Sequence, residues 1–148
     1  MVNHPNRSRK KKADDDAATP DPAAIKAARI DADLSQTAAA ALVYSPLITW
    51  QKWEQGQANG GNRMHPAFFK LFKLKVRPDY VAPVDLPKPA PATILAKRES
   101  LGLTRKEAAA LLMVTESGWQ RWETEGTGGR PMHLAFWELL HVLTRDKT

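Results

Sequence analysis

Residues 34–54, LSQTAAAALVYSPLITWQKWE, and residues 103–123, LTRKEAAALLMVTESGWQRWE, are one segment written twice. At an offset of 69, nine of the 21 positions are identical: Leu34/Leu103, Ala39/Ala108, Ala40/Ala109, Ala41/Ala110, Leu42/Leu111, Trp50/Trp119, Gln51/Gln120, Trp53/Trp122 and Glu54/Glu123. Beyond a Gly-rich loop the offset becomes 68, where Met64-His65 and Ala67-Phe68 match Met132-His133 and Ala135-Phe136, so the second loop is one residue shorter. Upstream, Ile25 and Arg29 pair with Ile94 and Arg98, which extends the repeated unit to about 50 residues. Two copies of one small domain are the economical reading.

Between the copies, residues 75–92 hold Pro78, Pro83, Pro87, Pro89 and Pro91. Proline at that density stops a helix and favours an extended, semi-rigid spacer. The chain therefore divides into an arm at 1–20, a first domain at 21–74, a Pro-rich linker at 75–92 and a second domain at 93–148. The arm packs Arg7, Arg9, Lys10, Lys11 and Lys12 together and follows them with Asp14, Asp15 and Asp16. So few apolar groups cannot offset the entropy of ordering it, and it reads as disordered, either a solvating tail or a DNA-contacting arm.

Local signals inside each copy are helical. Asp21 before Pro22 fits an N-cap and first helical residue, Ser35 a second cap, and Ser45 before Pro46 a third, with Gly56 ending that helix. In the second copy Thr104 and Glu107 form a capping box, and Thr115 is placed to cap the helix of Trp119 and Trp122. HPAFFKLFKL and MHLAFWELLHVL then carry apolar residues at helical spacing, and no segment alternates with period two long enough for a strand. The expected fold is all-α, four or five short helices per copy.

Composition narrows the function. The 148 residues carry 22 Lys+Arg against 16 Asp+Glu, a formal charge of +6, with no Cys. The absence of Cys removes disulfides, thiol catalysis and thiolate zinc sites. No apolar run approaches the roughly 20 residues that cross a bilayer, and MVNHPNRSRKKK lacks the core of a signal peptide, so a soluble cytoplasmic protein without membrane contact is expected. The positive excess is a mild pointer to a polyanion.

Two short helices joined by a tight turn make the plan that enters the major groove of DNA. L-S-Q-x-x-x-A around Gln36 and Ala40, followed by W-E-x-G at Trp53, Glu54 and Gly56, resembles the lambda-repressor-like (XRE family) helix-turn-helix domain. L-T-R-x-x-x-A with Ala109, then Val114-Thr115 and W-E-x-x-G at Trp122, Glu123 and Gly126, resembles it again. Both copies depart at the turn, where the family usually has Gly and this chain has Tyr44 and Met113. The resemblance implies two tandem helix-turn-helix domains acting as a bacterial, phage or mobile-element transcriptional regulator, most often a repressor, on double-stranded operator DNA.

Each residue type has a task within that plan. Ala40 and Ala109 allow the paired helices to approach closely. Trp50 and Trp53, like Trp119 and Trp122, lie three apart on one face and belong in a core rather than against bases. The positions left outward are Leu47, Ile48, Gln51 and Lys52 in the first copy and Glu116, Ser117, Gln120 and Arg121 in the second. Gln suits adenine, Arg guanine and Glu cytosine; Leu47 and Ile48 suit thymine methyls, or equally a protein partner. Gln36 and Arg105 are candidates for phosphate contacts, and so are Arg63 and Arg130 in the Gly-rich loops.

Other features carry less. His65 and His133 recur but have too few companions for a metal site, and fit capping or packing better. QANGGNR and TGGR lack P-loop spacing, so no cofactor is expected. No catalytic constellation repeats, which argues against an enzyme. Phe68, Phe69, Phe72, Phe136 and Trp137 fit the core, with a homodimer face as the alternative. The linker, extended at about 3.1 Å per residue, reaches roughly 55 Å, ample for neighbouring half-sites about 34 Å apart. The expectation is an intramolecular pseudodimer on two unlike half-sites. A protein-interaction module such as an antiactivator or antitoxin, motivated by Leu47 and Ile48 and the modest charge, is the rival from another class. An architectural duplex binder relying on the arm is a third possibility.

Overall fold

A computed structural model describes residues 19–83 and 86–145. The basic and acidic runs read as an arm lie outside the described residues. Among those residues the chain is all-helical, without strands: α1 (Pro22–Asp31), α2 (Gln36–Leu42), α3 (Leu47–Gln55) and α4 (Pro66–Lys75), then α5 (Pro91–Ser100), α6 (Arg105–Leu111), α7 (Glu116–Trp122) and α8 (Leu134–Leu143). A short 3-10 turn, Gln57–Asn59, follows α3. They fall into two compact units divided between Lys73 and Leu74. No described helix is long and apolar enough to cross a membrane.

The helix starts follow local chemistry. Ser35 Oγ accepts the Ala38 amide at 3.1 Å, and Thr115 Oγ1 the Gly118 amide at 3.0 Å. Thr104 and Glu107 complete their box, with Thr104 N donating to Glu107 Oε1 at 2.8 Å and Glu107 N to Thr104 Oγ1 at 3.1 Å. His65 and His133 also serve as caps, their Nδ1 atoms accepting from Ala67 N and Ala135 N at 3.0 and 3.1 Å. The expected cap at Ser45 is corrected: Pro46, aligned with Thr115, is the N-cap residue of α3 and makes no side-chain cap bond. Ser45 Oγ donates instead to the Val43 carbonyl.

The core of the first unit gathers Ile25, Ala39, Ala40, Val43, Trp50, Trp53 and Met64 with Phe68, Leu71 and Phe72 from α4. Ile94, Ala108, Ala109, Leu112, Trp119, Trp122 and Met132 repeat it in the second, with Trp137, Leu139 and Leu140. Both Trp pairs meet edge to face, at 5.6 and 5.5 Å between centroids and 65° between planes. Phe72 packs on Trp50 at 5.0 Å and Phe136 on Trp122 at 4.9 Å. Phe69 and Phe136 are half-buried, while Phe68, Phe72 and Trp137 are buried.

The α2–α3 and α6–α7 corners keep a left-handed turn without glycine. Tyr44 has φ +56° and Met113 φ +58°. A side chain there costs about 1–2 kcal/mol. Met113→Gly should therefore raise stability by about 0.5–1 kcal/mol, the relief being offset in part by the greater unfolded-chain freedom of glycine. The denaturation midpoint checks this, and an unchanged or lower midpoint would mean that the half-exposed Met113 side chain contributes more than the turn costs.

Part of the Pro-rich segment is engaged within the second unit. Lys75 Nζ lies 2.9 Å from Glu138 Oε1, Tyr80 donates its hydroxyl to Glu138, and Arg145 donates to the Val81 carbonyl. Glu138 is buried in α8, and these partners account for its charge.

Candidate nucleic-acid interface

The same carboxylate organises each copy. Trp50 and Glu54 stand four apart on α3, so both point to one side, and Trp50 Nε1 donates to Glu54 Oε2 at 2.5 Å. Arg29, from α1, grips that carboxylate with Nε at 2.5 Å and Nη2 at 3.1 Å. Its Nη1 donates to the Leu34 carbonyl at 3.0 Å, which ties the α1–α2 connection as well. Gln36, the first residue of α2, adds Nε2 to Glu54 Oε1 at 3.0 Å.

In the second unit Trp119 Nε1 donates to Glu123 at 2.6 Å, and Arg98 at 2.6 and 3.3 Å. Arg98 Nη1 again reaches a carbonyl, Leu103, at 3.0 Å. Arg105 takes the place of Gln36, with Nε 3.0 Å from Glu123 Oε1.

Burial pushes both carboxyls up. The hydrogen bonds from Arg29, Trp50 and Gln36 outweigh it at Glu54 and hold that group below its ordinary value, and Arg98, Trp119 and Arg105 do so at Glu123. Arg29 and Arg98 are raised, chiefly by their bonds to the glutamates. Each hub holds one edge of α3 or α7 against the other helices. The opposite edge is left in solvent.

That edge carries the residues singled out by sequence. Leu47, Ile48, Gln51 and Lys52 are all exposed on α3, and Glu116, Ser117, Gln120 and Arg121 on α7. Gln51 Nε2 lies 3.4 Å from Gln36 Oε1, a long contact that leans its amide toward α2. Among the described residues the side chains of Glu116, Ser117, Gln120 and Arg121 have no hydrogen-bond partner, so their donors and acceptors are available to a ligand.

The phosphate candidates divide differently. Gln36 and Arg105 are turned to the hub carboxylates rather than fully outward, although Arg105 remains 43% exposed. Arg63 and Arg130 are both exposed but are not equivalent, because the offset of 68 places Arg63 opposite Pro131 and Asn62 opposite Arg130. Asn62 N donates to the Lys52 carbonyl at 3.0 Å and Arg130 N to the Arg121 carbonyl at 3.0 Å. Arg63 Nη2 lies 3.3 Å from Thr19 Oγ1.

The Gly-rich loops serve packing. A Cβ on Gly61 would stand 2.2 Å from the Lys52 carbonyl oxygen, and one on Gly129 2.1 Å from that of Thr124.

Arg29 and Arg98 were not among the site residues expected from sequence, and they make the central contacts of each hub. The signal was present: an Arg and a Glu recur in both copies at a separation of 25 residues. No three His, Asp or Glu side chains among the described residues are placed to hold a metal ion. The chain matches no protein-family model, no curated protein and no solved structure.

Proposed function

We propose that this chain is a sequence-specific double-stranded DNA-binding regulator, most often of the repressor type, built from two tethered lambda-repressor-like helix-turn-helix domains that read unlike half-sites. The observation that carries the proposal is the hub recurring in both copies. It buries the Trp/Glu edge of α3, and in the second copy Trp119 of α7 with Glu123 at its C-cap, and turns the residues at 47, 48, 51 and 52, or 116, 117, 120 and 121, to solvent. A helix presented in this way on a chain of net charge +6 suits a major groove. Tethering makes the second docking event intramolecular, raising its effective concentration without a second chain.

DNA fragments selected by the purified protein test the proposal, the footprint length reporting whether both domains engage. Affinity for the selected site should fall by about a thousandfold between 50 and 200 mM salt if some six phosphates are neutralised. Gln120→Ala and Arg121→Ala should each weaken that site by about 1–3 kcal/mol while leaving nonspecific affinity largely intact. Equal loss on all sequences would reduce these side chains to positioning roles, and selection of no sequence would reject the proposal.

The exposed apolar pair Leu47 and Ile48 favours one second reading, a protein-interaction module of the antiactivator or antitoxin kind. A pull-down retaining a partner protein after nuclease treatment, together with absent DNA preference, would select it.

A further inference from the structure

Leu47 is 40% exposed and Ile48 57%, side by side on the first turn of α3, where α7 carries Glu116 and Ser117. Buried tryptophans and a glutamate held by an arginine are shared between the copies, whereas this outer turn is apolar in one and polar in the other. Resting on the DNA-reading function proposed above, we infer that Leu47 and Ile48 read the C5-methyl groups of pyrimidines in the major groove, giving the first domain a methyl-bearing half-site and the second a half-site read without methyl dependence.

The composition of the edge supports this occupant. Along α3, Leu47 shares a row with Gln51 and Ile48 with Lys52, each pair four apart. The exposed row is thus two branched alkyl groups, one amide and one ammonium, with no acid. A major groove offers matching partners in methyl groups, purine hydrogen-bonding edges and flanking phosphates. The same row in α7 includes an acid, Glu116, and no alkyl group at these positions. A protein partner is the poorer match: Leu47 and Ile48, even with the exposed Tyr44 of the preceding turn, are followed at once on α3 by Gln51 and Lys52 and present a small part of the ~800 Å² per partner that a standard interface covers. Burying a methyl group against Leu or Ile contributes about a fourfold gain in affinity, a size that binding measurements resolve.

The test uses the full chain and its selected DNA. Thymines are replaced singly by deoxyuridine, which removes only the methyl group, and cytosines singly by 5-methylcytosine, which adds one. The expected result is a roughly fourfold loss at one or two deoxyuridine positions confined to one half-site. The variant carrying Leu47→Ala and Ile48→Ala should bind thymine and deoxyuridine sites equally, and the Asp31→Ala variant, altered at an exposed position at the end of α1 outside the reading edge, should retain the wild-type difference. A half-site lacking thymine but tightened about fourfold by 5-methylcytosine, with the gain abolished in the double variant, supports the same chemistry from the other source. Selective binding with no methyl dependence at any position overturns this inference and leaves the proposed function standing. So does a methyl dependence that survives the double variant. Failure to select any DNA overturns both, and a protein partner lost on the double substitution while DNA affinity is unchanged assigns the apolar pair to that partner instead. Both substitutions are at exposed positions, and an unchanged thermal midpoint confirms that the fold is retained.

Discussion

Glu123→Ala should destabilise the second unit by about 3–5 kcal/mol, the range expected when one partner of a buried ion pair is removed and the other stays behind. The Glu123 side chain is 3% exposed and that of Arg98 13%. The truncation strands the Arg98 guanidinium in a site built for a carboxylate. It also leaves Trp119 Nε1 without an acceptor, a loss of about 1–3 kcal/mol by itself. Glu54→Ala should act similarly on the first unit, where the Glu54 side chain is 7% exposed.

Glu123→Gln keeps an acceptor for Trp119 and should fall between the wild type and the alanine variant. Urea denaturation of the full chain, followed by tryptophan fluorescence, measures all three. A loss below about 1 kcal/mol for both alanine variants would reduce the hub to a surface-grade ion pair.

The hub also sets a pH dependence. Both glutamates have native values held below the ordinary 4.5. Their contribution is fully present above the unfolded value, declines once pH falls below about 4.5, and is lost through the lower native values. The glutamine variants should show a shallower acid decline. His141 acts in another range: burial lowers it, the Trp137 carbonyl opposes that, and Lys97 lowers it further. Its effect is also a loss of stability on acidification, but beginning near the ordinary histidine value of 6.5.

The second large effect is expected at Gly129 and Gly61. An alanine methyl at 129 would meet the Thr124 carbonyl oxygen at 2.1 Å and its carbon at 3.0 Å; at 61 it would meet the Lys52 carbonyl oxygen at 2.2 Å and Gly56 N at 2.9 Å. These obstacles are backbone. The Lys52 carbonyl already accepts from Gly56 N and Asn62 N, so it cannot swing away without breaking the junction that closes α3. Each alanine should cost about 3 kcal/mol, the upper part of the overpacking range. Gly102→Ala is the control, because Gly102 has φ +70° with nothing within 4 Å of its added Cβ and should lose only the left-handed preference of about 1–2 kcal/mol. Equal losses at 102 and 129 would show that backbone freedom, not the carbonyl approach, explains the loop glycines.

What the sequence disclosed was mostly short-range. Ser35, Thr104, Glu107 and Thr115 could be read as caps because a cap and its amide lie within three residues. The tryptophans could be placed in the core because a spacing of three defines one side of a helix. Ser45 misled because a serine beside a helix resembles a cap wherever the start falls, whereas the repeat had already set Pro46 opposite Thr115. From sequence Gln36 and Arg105 are candidates for phosphate contacts at a helix start, since a carboxylate 18 positions away becomes their neighbour only after the helices pack. The role of Arg29 and Arg98 was hidden for the same reason. At the corners, the missing glycine was visible, but only the backbone shows that Tyr44 and Met113 accept the left-handed geometry instead of reshaping the turn.

The hub separates what holds each helix in place from what that helix displays. Of the four displayed positions, Gln51 and Gln120 already agree, so three codons distinguish the edge at 47, 48 and 52 from that at 116, 117 and 121. On the proposed reading, an ancestral duplication would have yielded a matched pair suited to symmetric DNA, and change at those three positions would have retargeted one copy while the Trp, Glu and Arg of the hub stayed the same. On that reading the chain would escape the palindrome that a homodimer of identical readers imposes, leaving each half of its target to evolve independently.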